Sequence, residues 1–253
     1  MSEKRIHIFR EVIIVLVLSL VLVSTFNIKA VKAQAGQKTL KPSDDTYVDS
    51  SNPNSNYGGQ TYLEVENSTF GSPPYQSIYQ DIVWLKFDLS TVPNGAVIDG
   101  ATLSLYTFFV GETFNVTACY CSENSWTELG ITWNNYPRTG FISVDSLSVA
   151  TSDKWYNWTV FDAVKYSQDN NLTAVTIALI EPNVHSSPTV VEFYSKESPV
   201  YFTDYSPTLT VHWSSVVPEF PTFIPLSLFM MMTLIAATYY RFKQKLPVKG
   251  IES

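Results

Sequence analysis

Cysteine, histidine and basic charge are all scarce in this chain. Two cysteines in 253 residues exclude a disulfide-stapled scaffold and a multi-cysteine zinc or iron–sulfur centre. Of three histidines, only His185 and His212 lie beyond the N-terminal segment. Neither belongs to a His-Glu-x-x-His motif, and the chain has no Gly-x-Ser-x-Gly elbow. Sixteen basic residues against 23 acidic ones leave a net charge of −7, which argues against nucleic acid as a partner. Helix-period stretches longer than a few turns are missing from the middle of the chain, and uncharged apolar runs occur only at its two ends. What is abundant is apolar and aromatic: 45% apolar residues, with 15 Tyr, 15 Phe and 6 Trp, enough for a large core.

The ends read as export and anchoring. Lys4, Arg5 and Arg10 precede an apolar run over 12–23, followed by small residues up to Ala33. That is the layout of a signal peptide over 1–33, cleaved after Ala33 or Ala35, with an uncleaved N-terminal anchor as the alternative. Near the other end, residues 215–221 form a linker ahead of an uncharged stretch over 222–240, and a basic tail occupies 241–253 with Arg241, Lys243 and Lys245. At 1.5 Å per residue a helix over 222–240 crosses a hydrocarbon core of about 30 Å, and the basic tail holds its end in the cytoplasm. The expected location is therefore the cell surface, with the main domain outside and the membrane as a partner. The order Pro218-Glu219-Phe220-Pro221, apolar span, basic tail resembles the PEF-CTERM sorting tail of archaeal surface proteins. The resemblance implies a sorting transpeptidase as a further partner, one that removes the tail and transfers the protein to a lipid.

Without its ends the chain is more acidic. Residues 34–217 hold seven basic and nineteen acidic side chains, a balance of −12. Their pattern is short alternation: Leu63 and Val65; Val83, Leu85, Phe87 and Leu89; Ala101, Leu103 and Leu105. Further runs lie at 142–149, 155–160, 175–180, 190–194 and 208–213. Turn chemistry such as Asn56-Tyr57-Gly58-Gly59 and Pro93-Asn94-Gly95 separates them. This predicts an all-β single domain over 36–214, a β-sandwich of jelly-roll type with one short helix over 162–168. Trp126, Trp133, Trp155 and Trp158 are expected in its core. Cys119 and Cys121 share one face of a strand at the far edge of bridgeable spacing, either as two small thiols or as a bridge allowed by a bulge, and no function is assigned to them. Four Asn-x-Ser/Thr sequons, Asn67, Asn115, Asn157 and Asn171, are candidate glycan acceptors in an exported domain, Asn171 being the best placed because it lies in a turn cluster.

The middle also carries a series of motifs: DTYVDSSNPNSNYGG (45–59), IVWLKFDLSTVPNGAVIDGATLSLY (82–106), SWTELGITWNN (125–135), WYNWTVFDAVKYS (155–167), VEFYSKES (191–198) and SPTLTVHW (206–213). In that order they resemble the DNRLRE domain, also classed as carbohydrate-binding module family 96 and linked to disaggregatase-related archaeal proteins. The resemblance implies a β-sandwich that binds polysaccharide, acidic polymers such as alginate among them, without catalysing a reaction. The chain departs from the family where Phe161 replaces the threonine that caps the short helix, leaving Asp162 to serve the first turn. It also has lysine, or nothing, at the family's arginine positions, and lysine cannot grip a carboxylate bidentately.

Period two converts these motifs into a candidate ligand face. With Leu63, Val65, Leu85 and Phe87 inward, Tyr62, Glu64, Trp84, Lys86 and Asp88 point to the opposite side, as do Tyr194 and Lys196. Aromatic rings beside charges suit sugars, whose C–H faces stack on rings and whose hydroxyls bond to charged groups. The alternative is that the same residues form cross-strand pairs under a long loop. The oxygen-rich Asp44, Asp45, Asp49, Asn52, Asn54, Asn56 segment has enough ligands for Ca2+ but lacks the spacing of a calcium loop, and Asx turns explain the same composition; no metal site or other cofactor is assigned. Two functions remain beside polysaccharide binding. One is a structural envelope or adhesion protein with no soluble ligand. The other is a polysaccharide-degrading enzyme whose carboxylates lie on different strands.

Overall fold

The computed structural model describes residues 35–199 and 203–214, with Met231, Thr238 and residues 233–235. The signal segment, the linker with Pro218, Glu219 and Phe220, and the basic tail lie outside the described residues. So does the apolar span, apart from those five positions, which are helical and exposed. Among the described residues no helix is long and apolar enough to cross a membrane.

Residues 36–214 are predominantly β. The strands are β1 (Gly36–Leu40), β2 (Asp44–Asp49), β3 (Tyr62–Phe70), β4 (Ser77–Asp88), β5 (Val97–Val110), β6 (Phe114–Cys121), β7 (Phe141–Val149), β8 (Lys154–Thr159), β9 (Ala174–Ile180), β10 (Val190–Tyr194) and β11 (Thr208–Ser214), with helix α1 (Phe161–Asp169) between β8 and β9. They join one antiparallel sheet in the order β1-β11-β5-β10-β3-β4-β9-β6-β7, with β2 added to β4 and β8 to β5. Two long strands make this sheet curl, because each serves two successive partners along one edge. On β4, Asp81 pairs with Glu66 of β3 on one edge and Asp49 of β2 on the other; further along, Trp84 still faces β2 but has Ala178 of β9 where β3 was. On β5, β11 gives way to β10 along one edge while β8 takes the other.

The inward positions predicted by alternation are buried: Leu63, Val65, Leu85, Phe87, Leu103 and Leu105 belong to one apolar cluster with Val191, Phe193 and Trp158. Each such side chain contributes about 1.5–3 kcal/mol by leaving water. A second cluster lies on the other side of the β2–β4–β9 region and contains Val48, Ile82, Trp84, Trp126, Ile131 and Tyr136. Apolar contact on both faces explains why β2 and the middle of β4 are continuously buried instead of alternating.

The predicted helix is present and one residue longer at each end. Val160 stands at its N-cap with no side-chain hydrogen bond, and Asp162 supplies the acidic group of the first turn. Its grip on the sheet comes from Ala163, Val164 and Ser167, which are buried. Cys119 and Cys121 are free thiols, both buried in β6, next to a register shift between Ala118 and Cys119 in the pairing with β7.

Candidate functional site

The structure scatters the face predicted from alternation. Trp84 does point away from Leu85 and Phe87, but it is fully buried, and this corrects its assignment as a ligand-contacting residue. The segment 122–140 covers it with Trp126 and Tyr136, and Phe141 at the start of β7 adds a third ring, at centroid distances of 5.9, 5.7 and 5.6 Å. Lys86 holds that cover down. Its ammonium donates to the Trp126 carbonyl, lies 4.5 Å from the Trp126 ring centroid and pairs with Asp44 at 3.3 Å. Lys196 is engaged in the same way, with Glu128, with Glu197 at 2.6 Å and with Asp45 at 3.9 Å. Burial works to lower the Lys196 pKa, but the bonds to Glu128 and Glu197 outweigh it and raise the group above ordinary lysine. Asp88 is exposed and accepts from the backbone and hydroxyl of Ser90, capping a turn. Tyr62 is half-buried, with its hydroxyl 3.4 Å from that of Tyr47.

Tyr194 belongs to a different and more open assembly. Tyr106 and Phe108 project from β5 opposite the buried Leu105, Trp155 projects from β8 directly across from Tyr106, and Tyr205 precedes β11. Tyr106 meets Trp155 edge-on at 5.4 Å and Tyr205 at 4.1 Å. Tyr194 stacks on Tyr205 at 5.4 Å and lies 4.7 Å from Phe108. These rings form a continuous aromatic patch with Trp155 36% exposed at its margin. The sequence reading placed Trp155 in the core with Trp158, and the structure corrects this. In one strand two residues three apart face opposite sides, and the core side belongs to Trp158, whose ring N–H donates to the Val116 carbonyl. That parity, and the alternation of Tyr106 with Leu103 and Leu105, were the signals that could have located the patch.

The acidic opening segment is consumed by turns and loop contacts. Asp49 accepts from the Ser51 backbone and hydroxyl, from the Asn52 amide and from the Tyr57 hydroxyl. Burial would raise its pKa, but these bonds outweigh it and hold it below the usual carboxylate value. Asn56 donates to the carbonyls of Glu128 and Ile131, and Asn54 receives the Asn134 amide. The motif thus pins the 122–140 segment to the sheet, which is the Asx-turn reading of its composition. Gly58 is part of the pin, since a Cβ there would meet the Glu128 carbonyl oxygen at 2.5 Å.

The sequons divide by exposure. Asn67 is buried in β3 with its amide donating to the Glu181 carbonyl, which corrects its candidacy as a glycan acceptor on the folded domain. Asn115, Asn157 and Asn171 are exposed, and Asn171 occupies a turn with φ 55°. A cleft of about 450 Å³ opens over the 122–140 segment, lined by residues including Trp126, Ile131, Pro137 and Thr139, with Glu123 as its one carboxylate. Burial raises both thiol pKa values, that of Cys119 to about 11.

No curated protein matches the chain. The sequence profile of carbohydrate-binding module family 96 matches residues 36–211, a span that takes in the whole curled sheet up to Val211 of its last strand. With the profile covering more than half of its length, the chain belongs to carbohydrate-binding module family 96.

Proposed function

We propose that this protein is a cell-surface-anchored, non-catalytic module that holds a polysaccharide against its aromatic patch, with Tyr106, Trp155, Tyr194 and Tyr205 as the contact residues. The observation that carries the reading is the patch itself, a run of half-buried rings with the exposed Trp155 at its margin, on the outside of a carbohydrate-binding fold. Ring faces exclude water from the C–H surface of a sugar and need no charge to do so. Four of the basic residues, Lys41, Lys86, Lys165 and Lys196, are already in ion pairs, and the exported region carries −12. A polyanion such as a uronic-acid polymer gains little from such a surface, so the preferred ligand is a neutral polysaccharide. The apolar segment 222–240 and the basic tail support anchoring, Pro218-Glu219-Phe220 supports recognition by a sorting transpeptidase, and Asn115, Asn157 and Asn171 are the sequons open to glycosylation. The same sequence order supports a DNRLRE-type sandwich from an archaeal surface.

The acidic balance favours a second reading, an envelope or adhesion component with no soluble ligand. Retention of the full-length protein on a panel of neutral and uronic-acid polysaccharides, with reducing ends measured in the supernatant, separates the alternatives. The proposed function predicts retention on a neutral polymer with no products. Retention on none supports the envelope role, and release of products makes the protein a degrading enzyme.

A further inference from the structure

The described domain has two groups of three carboxylates, each with oxygens within 4.8 Å of one another: Asp45, Glu128 and Glu197, and Glu64, Glu66 and Asp81. The first has an internal cation, because the Lys196 ammonium sits among its members. The second has none among the described residues. The four lysines in ion pairs are committed to other carboxylates, and Arg138 lies over the rings of Trp133 and Tyr136.

The second group is built by strand register. Asp81 of β4 stands directly across from Glu66 of β3 on one edge and from Asp49 of β2 on the other, and Glu64 stands directly across from Glu192 of β10. Like charges directly opposite are unfavourable in a sheet, and here they recur over four adjacent strands. Asp81 is 6% exposed, and its Oδ1 is buried with no hydrogen-bond partner. A buried carboxylate oxygen left in this way costs on the order of 1–3 kcal/mol or more. Asp49 offers it only a second carboxylate, whose oxygens already accept from Ser51, Asn52 and Tyr57 and whose proximity raises the Asp81 pKa further.

We infer that Glu64, Glu66 and Asp81 form a binding site for a hard divalent cation of the Ca2+ class. The three carboxylates supply hard oxygen ligands, the cation partners the orphaned Asp81 Oδ1, and water completes a shell of six to eight oxygens. Ca2+ suits this group better than Mg2+, which requires near-ideal octahedral geometry. Glu192 lies beside the site and adds negative potential to it. The competing state is proton sharing. Burial, reinforced by neighbouring carboxylates, raises Asp81 to about 9 and Glu64 to about 7, so the group without a metal holds a proton near neutrality.

Calorimetric titration of the full-length protein with CaCl2 at pH 7.5, paired with thermal melts in EDTA and in about 10 mM CaCl2 at matched ionic strength, distinguishes the two. The expected result is one Ca2+ per chain and a rise in melting temperature of about 5 °C or more, with a smaller response to MgCl2. Asp81→Asn imitates the protonated carboxyl and should abolish both signals; Glu66→Gln should weaken binding about tenfold or more and carries the test if Asp81→Asn does not fold. Absence of Ca2+ binding to the wild-type protein would overturn the site in favour of the shared proton. Binding that persists unchanged in both variants would overturn it as well, by placing the ion elsewhere. Neither outcome depends on whether the aromatic patch holds a polysaccharide.

Discussion

Single residues in this fold act through what covers them. Trp84 is a large ring buried between a sheet and a loop, and its loss removes the centre of the second apolar cluster. Trp84→Ala should cost about 3–5 kcal/mol, read as a large fall in denaturation midpoint with no selective effect on ligand affinity in the fraction that remains folded. Lys196 separates three carboxylates, so Lys196→Met leaves Asp45, Glu128 and Glu197 facing one another. Since Lys196 keeps about a fifth of its side-chain surface exposed, the expected loss is discounted from the cost of a fully buried pair to about 2 kcal/mol, measurable by urea denaturation at low salt. Burial also governs the cysteines. With the Cys119 thiol raised to about 11, almost none of it is thiolate at pH 8, and burial raises Cys121 in the same direction. Both should resist an aromatic disulfide reagent in the native protein and react fully only after unfolding; rapid modification of the native protein would contradict their placement.

Among the elements, those with one apolar face were legible in the sequence. The strands β10 and β11 lie within a residue of their predicted bounds because one buried face leaves a period of two; β9 was found instead by its short continuous apolar run, since both of its faces are buried. Those that failed to announce themselves had a physical reason. β1 is an edge strand whose exposed residues carry no alternation, and β2 is buried on both faces, which erases the alternation and leaves Asp-rich composition that reads as a turn. The ligand face was half legible. Period two turned Glu64, Trp84 and Lys86 to the side opposite Leu63, Val65, Leu85 and Phe87, but Tyr62 still packs against the main core, and nothing local reveals that the 122–140 segment folds over Trp84. The two tryptophans of β8 were legible by parity alone. The covering segment gives an element-scale prediction: Gly58→Ala drives a Cβ into Glu128 and should loosen the 122–140 cover at a cost of about 1–3 kcal/mol. Faster amide exchange at Trp126 and Ile131 would report it; unchanged exchange there would show the contact to be slack.

For the whole molecule, the curled sheet divides its outside into regions with different chemistry. One is sealed by the 122–140 segment and its Asx turns. One is a row of carboxylates across β2, β4, β3 and β10, and one is the aromatic patch on β5, β8 and β10. The last gathers Tyr106, Phe108, Trp155, Tyr194 and Tyr205 into one run of rings, and the binding claim is placed there. The most direct test is the affinity of the Trp155→Ala protein for the polysaccharide that retains the wild type, measured by affinity electrophoresis beside its melting curve. Because Trp155 is 36% exposed at the rim, its loss should lower affinity about tenfold or more, roughly 1.4 kcal/mol, while shifting the melting temperature by no more than about 3 °C. A Trp155→Ala protein that binds as tightly as wild type would contradict the account and move the ligand off the aromatic patch.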